Sequence, residues 1–191
     1  MSKVKIAIFA SGSGTNAEQI ATHFADSDQV EVDMILSNKP QAYVLERAKK
    51  FDIPTHVFSR EAFYQSEGVL ELLRAREVDF IVLAGFLWLV PSYLIDAYRE
   101  KIINIHPALL PSYGGKGMYG DKVHQAVVAN QEAESGITIH LVDEVYDNGR
   151  VLRQEKVALE AGESPESLAQ KIHRLEYQYF PQTIEGFVLG Y

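Results

Sequence analysis

Asn104 and His106, in the run Asn104-Ile105-His106-Pro107, are the residues of this sequence best suited to acyl chemistry. Alternate side chains of a strand share a face, so Asn104 and His106 point the same way while Ile105 turns into the core. An amide N–H binds a developing oxyanion and an imidazole holds or moves a proton, which are the two needs of a tetrahedral intermediate at a carbonyl carbon. A histidine at a strand end also serves purely structural purposes, so the pair alone does not define an activity. A carboxylate facing His106 would raise its pKa and fix its orientation. The loop Asp143-Glu144-Val145-Tyr146-Asp147-Asn148-Gly149 offers Asp143 and Asp147 for that role, against the plainer reading of solvated loop charges.

The second constellation is Ser11-Gly12-Ser13-Gly14-Thr15-Asn16. Glycines at 12 and 14 let the backbone approach an oxygen-rich group, and the N–H groups of a helix beginning near Thr15 point at it, which makes a phosphate cradle. An ordinary tight turn is the alternative, with Ser11 and Ser13 as turn residues. Ser37-Asn38-Lys39 ends the second strand without the acidic residue that a dinucleotide ribose needs, so the phosphate is expected to belong to a mononucleotide. Gly115-Lys116-Gly117 is not a phosphate-binding loop of the GK[ST] type. The remaining histidines (His23, His56, His124, His140 and His173) lack metal-ligand spacing, and no Gly-x-Ser-x-Gly elbow is present.

These residues need elements to place them. Val4–Ala10, Val30–Leu36, Thr55–Phe58, Phe80–Leu83 and Ile102–Ile105 read as strands, and the unbroken apolar run at Phe80–Leu83 suits a central parallel strand. Ala17, Ile20, Ala21 and Phe24 form one face of a helix, with Thr15 and Glu18 at capping-box spacing. Further helices are predicted over Ala42–Phe51 and from about Glu61 to Arg76, the latter burying Phe63, Val69, Leu70 and Leu73. Ile137–Val142 and Val151–Val157, separated by Asp147-Asn148-Gly149, predict an antiparallel hairpin. Ser164-Pro165 starts a last helix that Pro181 should stop or kink. The fold class is therefore α/β, a Rossmann-like and mostly parallel sheet with helices on both faces and antiparallel strands in the C-terminal half. Ligands are expected beyond the carboxyl ends of the strands, in the loops after Ala10, Leu36, Leu83 and Ile105.

Composition narrows the classes. The chain has 191 residues, 47% hydrophobic and 23% charged, which predicts one domain over 1–191. A net charge of −8 argues against charge-driven binding to nucleic acid or an anionic membrane. With no cysteine, thiolate nucleophiles, disulfides and cysteine-held metals are excluded. The longest apolar stretch, from Phe80 to Val90, is about half of the roughly 20 residues a spanning helix needs, and no secretory signal is evident, so the cytoplasm is the expected compartment.

Taken in order, Ser11-Gly12-Ser13-Gly14-Thr15-Asn16, Ser37-Asn38-Lys39, Leu83-Ala84-Gly85-Phe86, Asn104-Ile105-His106-Pro107 through Leu110-Pro111, and Val142-Asp143-Glu144 through Asp147-Asn148-Gly149 resemble the phosphoribosylglycinamide formyltransferases, folate-dependent enzymes of purine synthesis. The resemblance covers nearly the whole chain. It implies transfer of a formyl group from 10-formyltetrahydrofolate, as co-substrate and without metal, to the amine of glycinamide ribonucleotide. It further implies Asn104, His106 and Asp147 as the catalytic trio, and Gly14, Thr15, Asn16 and Glu176 at the ribonucleotide. Arg60, Leu87, Trp88, Leu89 and Val90, with Asn104 and Asp143, would lie at the folate. A cis peptide before Pro111 and a monomer or homodimer belong to the same expectation. Two departures stand out: Trp88 occupies a position where many members carry Arg, and Gly114–Gly120 lacks a common Pro-Gly-x-His pattern.

Three rivals are weighed against this reading. A formyltetrahydrofolate hydrolase would generally carry an extra N-terminal domain, for which a first strand at about residue 3 is taken to leave no room. An initiator-tRNA transferase would need a basic surface. A non-catalytic nucleotide-binding module would leave Asn104, His106 and Asp147 unexplained.

Overall fold

The computed structural model describes residues 2–191. Its centre is a seven-stranded sheet of order β3-β2-β1-β4-β5-β6-β7, formed by β1 (Val4–Phe9), β2 (Val30–Ser37), β3 (Thr55–Val57), β4 (Phe80–Leu83), β5 (Ile102–His106), β6 (Glu134–Leu141) and β7 (Val151–Ala158). The first five strands run parallel, and β6 and β7 are each antiparallel to their neighbours, as the sequence predicts. The central parallel strands β1 and β4 are largely buried on both faces because helices cover both, whereas β3 at the edge is exposed. One layer holds α1 (Thr15–Phe24), α2 (Val44–Lys49), α6 (Asp121–Ala129) and α7 (Pro165–Leu189), packed on Ile6, Ile8, Ile103 and Ile105. The other holds α3 (Arg60–Tyr64), α4 (Gly68–Ala75) and α5 (Ser92–Ala97), packed on Ala7, Phe9, Ile81 and Ile102. Among the described residues, no helix is long and apolar enough to cross a membrane.

Several boundaries differ from the sequence reading, each for a local reason. The expected capping box at Thr15 does not form. Gly14, left-handed at φ 75°, is the N-cap of α1, and the Glu18 carboxylate turns to Arg47 and Lys50. The helix expected over Glu61–Arg76 breaks into α3 and α4 because the Ser66 hydroxyl donates to the Ala62 carbonyl and accepts the Gly68 N–H, competing with the helical ladder. The α2 helix is shorter than Ala42–Phe51 because its flanks close as i→i−3 turns at Ala42 and Phe51. Pro181 does not stop α7. Phe180, Ile184 and Val188 around it are buried, and this packing outweighs the one hydrogen bond that proline removes. The short α5 and α6 lie outside the helices that the sequence pattern predicts.

Phe63 anchors the α3 layer. It is fully buried, stacked on Phe58 at 4.8 Å between ring centroids, and edge-on to Phe86 at 5.6 Å. We expect Phe63→Ala to destabilise the protein by about 3–5 kcal/mol, read as a lower urea midpoint with an unchanged m-value.

Candidate active site

The loops after β1, β2, β4 and β5 meet at one end of the sheet, where they line a cavity of about 1030 Å³ together with residues 115–122 and the β6–β7 connection. This is the end predicted from the direction of the parallel strands. Asn104 and His106 share the strand face opposite Ile103 and Ile105, and both open onto the cavity.

Asp147 and not Asp143 faces His106. Its Oδ2 lies 3.5 Å from His106 Nδ1, and its Oδ1 lies 3.7 Å from His140 Nε2. The Gly115 N–H donates to Oδ2 at 2.9 Å. On the far side of the imidazole, His106 Nε2–H donates to the Tyr113 carbonyl at 2.7 Å. That bond fixes the proton on Nε2 and leaves Nδ1 as the nitrogen that titrates. Asp147 and Tyr113, the two residues that frame the ring, both have left-handed backbones at φ 53° and 57°. Such strain persists only where surrounding contacts hold it. Asp143 shapes the loop instead, accepting the Val145 N–H at 2.8 Å and the Asn148 amide at 2.9 Å.

The electrostatics oppose one another. Burial pulls the His106 imidazole below its ordinary pKa, while Asp147 and the Tyr113 carbonyl pull it back up. Burial alone would raise the Asp147 carboxyl, but His140, His106 and the Gly115 N–H outweigh it and hold it below the usual range. A carboxylate so stabilised keeps a negative charge beside Nδ1.

His140 escaped the sequence reading. It pairs across the ladder with Asn104 and is 1% exposed. The Asn104 amide donates to His140 Nε2 at 3.1 Å, and His140 Nδ1–H donates to the Leu141 carbonyl at 2.8 Å. One amide hydrogen of Asn104 is thereby held, leaving the other for the cavity. The signal lay in the alternation of β6, where Thr138 and His140 interrupt an apolar strand on the face that antiparallel pairing brings against Asn104 and His106. His124, His173 and Lys39 also line the cavity without having been singled out.

At the other end, Gly14, Thr15 and Asn16 line the cavity with Glu176 of α7. A side chain at Gly14 would strike the Val44 side chain at 2.4 Å and its Cα at 2.7 Å, so this glycine is demanded by the approach of α2 as well as by its φ. The α2 helix braces the loop further. The Val44 N–H donates to the Gly12 carbonyl at 3.1 Å, and Arg47 Nε to the Ser13 carbonyl at 2.7 Å. The Asn16 amide donates to Glu176 Oε2 at 2.9 Å, yet burial still pushes the Glu176 carboxyl up to about 7. Asn16 Oδ1 is buried without a hydrogen-bond partner.

Leu87, Trp88, Leu89 and Val90 form a third wall, backed by the Phe9, Phe58, Phe63 and Phe86 cluster. Arg60 does not reach the main cavity. Its guanidinium lies over the Tyr64 ring at 5.0 Å and near Trp88 at 5.6 Å, beside a shallow depression shared with Glu61 and Gln65. In the 114–120 loop, Gly115, Gly117 and Gly120 all have positive φ, and the Leu110–Pro111 peptide is cis. Among the described residues, no group of three His, Asp or Glu side chains is arranged to hold a metal ion.

Comparison with known proteins narrows the reading. The family described as formyl transferase matches residues 4–184. Phosphoribosylglycinamide formyltransferase of Bacillus subtilis is 38% identical over 186 residues, covering 95% of this chain and 93% of the relative. The chloroplastic enzyme of that name from Arabidopsis thaliana is 40% identical over 94% of this chain, which spans only 64% of the length of that relative. The crystal structure of phosphoribosylglycinamide formyltransferase from Streptococcus pneumoniae superposes with a TM-score of 0.85 at 32% identity, covering 97% of this chain and 99% of that one. With the family matched from the first strand into the last helix, this chain belongs to the formyl transferases.

Proposed function

We propose that this protein transfers the formyl group of 10-formyltetrahydrofolate to the amine of glycinamide ribonucleotide, giving formylglycinamide ribonucleotide and tetrahydrofolate. The observation that carries the reading is one cavity with three distinct walls: a glycine loop and Glu176 at one end, an apolar wall at 87–90, and Asn104, His106 and Asp147 between them. Relatives named phosphoribosylglycinamide formyltransferase support it.

The backbone of Gly14 and Thr15 receives the phosphate at the start of α1, and Glu176 accepts the ribose hydroxyls. The apolar wall covers the folate ring system. The amine then attacks the formyl carbon, a C–N bond forms, and the carbonyl π electrons move onto oxygen. The free amide hydrogen of Asn104 and protonated His106 Nδ1 stabilise that oxyanion. When the intermediate collapses, the bond to folate N10 breaks, and the proton lost by the amine passes through His106 or a water to N10. Because burial disfavours the imidazolium, the Asp147 charge is what offsets that penalty. The direct test is formyl transfer from 10-formyltetrahydrofolate with and without the ribonucleotide. Folate release that ignores the ribonucleotide would instead identify a hydrolase.

Asn104→Ala should cost on the order of a hundredfold or more in kcat. His106→Ala should cost about two to four powers of ten, and a variant with near-normal turnover would defeat the mechanism. Asp147→Asn should depress kcat and move the His106 titration to lower pH, followed by NMR of the imidazole, whereas Asp143→Asn should leave that titration in place.

Glu176 gives a pH signature. Its carboxyl is raised to about 7 in the free protein, and the ionised form is the better acceptor for ribose hydroxyls. Ribonucleotide affinity should therefore rise as pH increases through that value. Glu176→Gln should weaken binding and flatten this component of the profile, measured by calorimetry at several pH values for both proteins; an unchanged profile would remove Glu176 from the ligand.

A further inference from the structure

Ser11 is a turn residue by sequence and something else in space. It is 2% exposed and sits where the ends of β1, β2 and β4 lie side by side. Its backbone N–H donates to the Gly85 carbonyl at 3.1 Å. Its hydroxyl donates to Asn38 Oδ1 at 2.7 Å and accepts the Leu87 N–H at 3.0 Å. A serine hydroxyl has one hydrogen, so commitment of that hydrogen to Asn38 turns the lone pairs toward Leu87.

We propose that Ser11 is a positioning residue for the folate wall, although it belongs in sequence to the ribonucleotide loop. The inference rests on the formyl-transfer reading for the identity of the two ligands. The segment it holds begins at Gly85, a left-handed turn at φ 72°, and leads into the Leu87–Val90 wall. Phe86 is fixed by its aromatic neighbours, with Phe9 at 5.5 Å and Phe63 at 5.6 Å. The next backbone N–H, that of Leu87, depends on the Ser11 hydroxyl alone among side chains. Without the hydroxyl, the wall loses its tether at Leu87 and keeps only the Ser11 N–H bond to the Gly85 carbonyl and the Tyr64 hydroxyl bond to the Leu89 carbonyl on either side of it. The glycine loop keeps its own supports, because Gly12 and Ser13 are held by Val44 and Arg47 of α2. The two walls therefore respond differently to the same substitution.

The test is a two-substrate kinetic analysis of Ser11→Ala, Asn38→Ala and Ser11→Thr, with melting temperatures recorded for each. For Ser11→Ala the KM for 10-formyltetrahydrofolate should rise about three- to tenfold, while kcat and the ribonucleotide KM stay within about twofold of wild type. Asn38→Ala frees the hydroxyl to rotate and should move the same constant by less. Ser11→Thr keeps the hydroxyl and should restore the folate KM. Calorimetric titration with tetrahydrofolate reads the same change without turnover, so an inactive wild type would count against the formyl-transfer reading and leave the Ser11 comparison intact. Equal rises in both KM values, a rise confined to the ribonucleotide, or a lowered melting temperature with unchanged folate affinity would each overturn the proposal.

Discussion

The buried charge of Asp147 is the interaction around which this site is arranged. Its side chain is 11% exposed, and an unpaired carboxylate at such a place costs several kcal/mol. It is tolerated because the Gly115 N–H and the titrating Nδ1 of His106 converge on it from different parts of the chain, with the His140 ring packed beside it. Each partner imposes a path. His106 fixes the end of β5, His140 fixes the register of β6, and Gly115 draws the following loop over the ring. The left-handed backbones at Tyr113 and Asp147 show where the chain bends to meet these demands.

The sheet solves a second problem, that of setting the unlike walls of one cavity beside one another. Parallel strands present their carboxyl ends, and the loops that follow them, at one edge, and the order β2-β1-β4-β5 sets the glycine loop between two other loops. The reversal of β6 adds something a wholly parallel sheet lacks. It starts β6 near that edge and lays Thr138 and His140 beside His106 and Asn104 on a strand hydrogen-bonded to β5. Thr138 takes part as well, donating to the Ala108 carbonyl at 2.7 Å and accepting the Leu110 N–H at 3.0 Å, which ties down the segment after His106.

Much of this was legible in the residues. The unbroken apolar run of Phe80–Leu83 marks a central strand, and it pairs on both sides. Asn104 and His106 were placed on one face by alternation alone. Residue type alone does not distinguish Asp147 from Asp143, because both are loop carboxylates and the path of the loop is not written in the sequence; the family resemblance favours Asp147, which directly precedes the Asn148-Gly149 turn, and the loop path brings it to the ring. His140 was hidden because its meaning depends on strand pairing, which a linear spacing search for metal ligands does not test. Ser11 was hidden for a similar reason, since its partners Asn38 and Leu87 follow other strands. The break at Ser66 and the passage of α7 through Pro181 show propensity yielding, once to a side chain's local hydrogen bonds and once to packing.

The bond between Asn16 and Glu176 joins residues 160 positions apart. During synthesis the glycine loop emerges early, whereas its partner on α7 appears only after β6 and β7 have been made. Contacts of such separation form late and slow the approach to the native state. The end of the cavity lined by Gly14, Asn16 and Glu176 is thus completed only when α7 docks. A nascent chain still lacking α7 would carry the glycine loop, His106 and Asp147 without the carboxylate that closes the pocket.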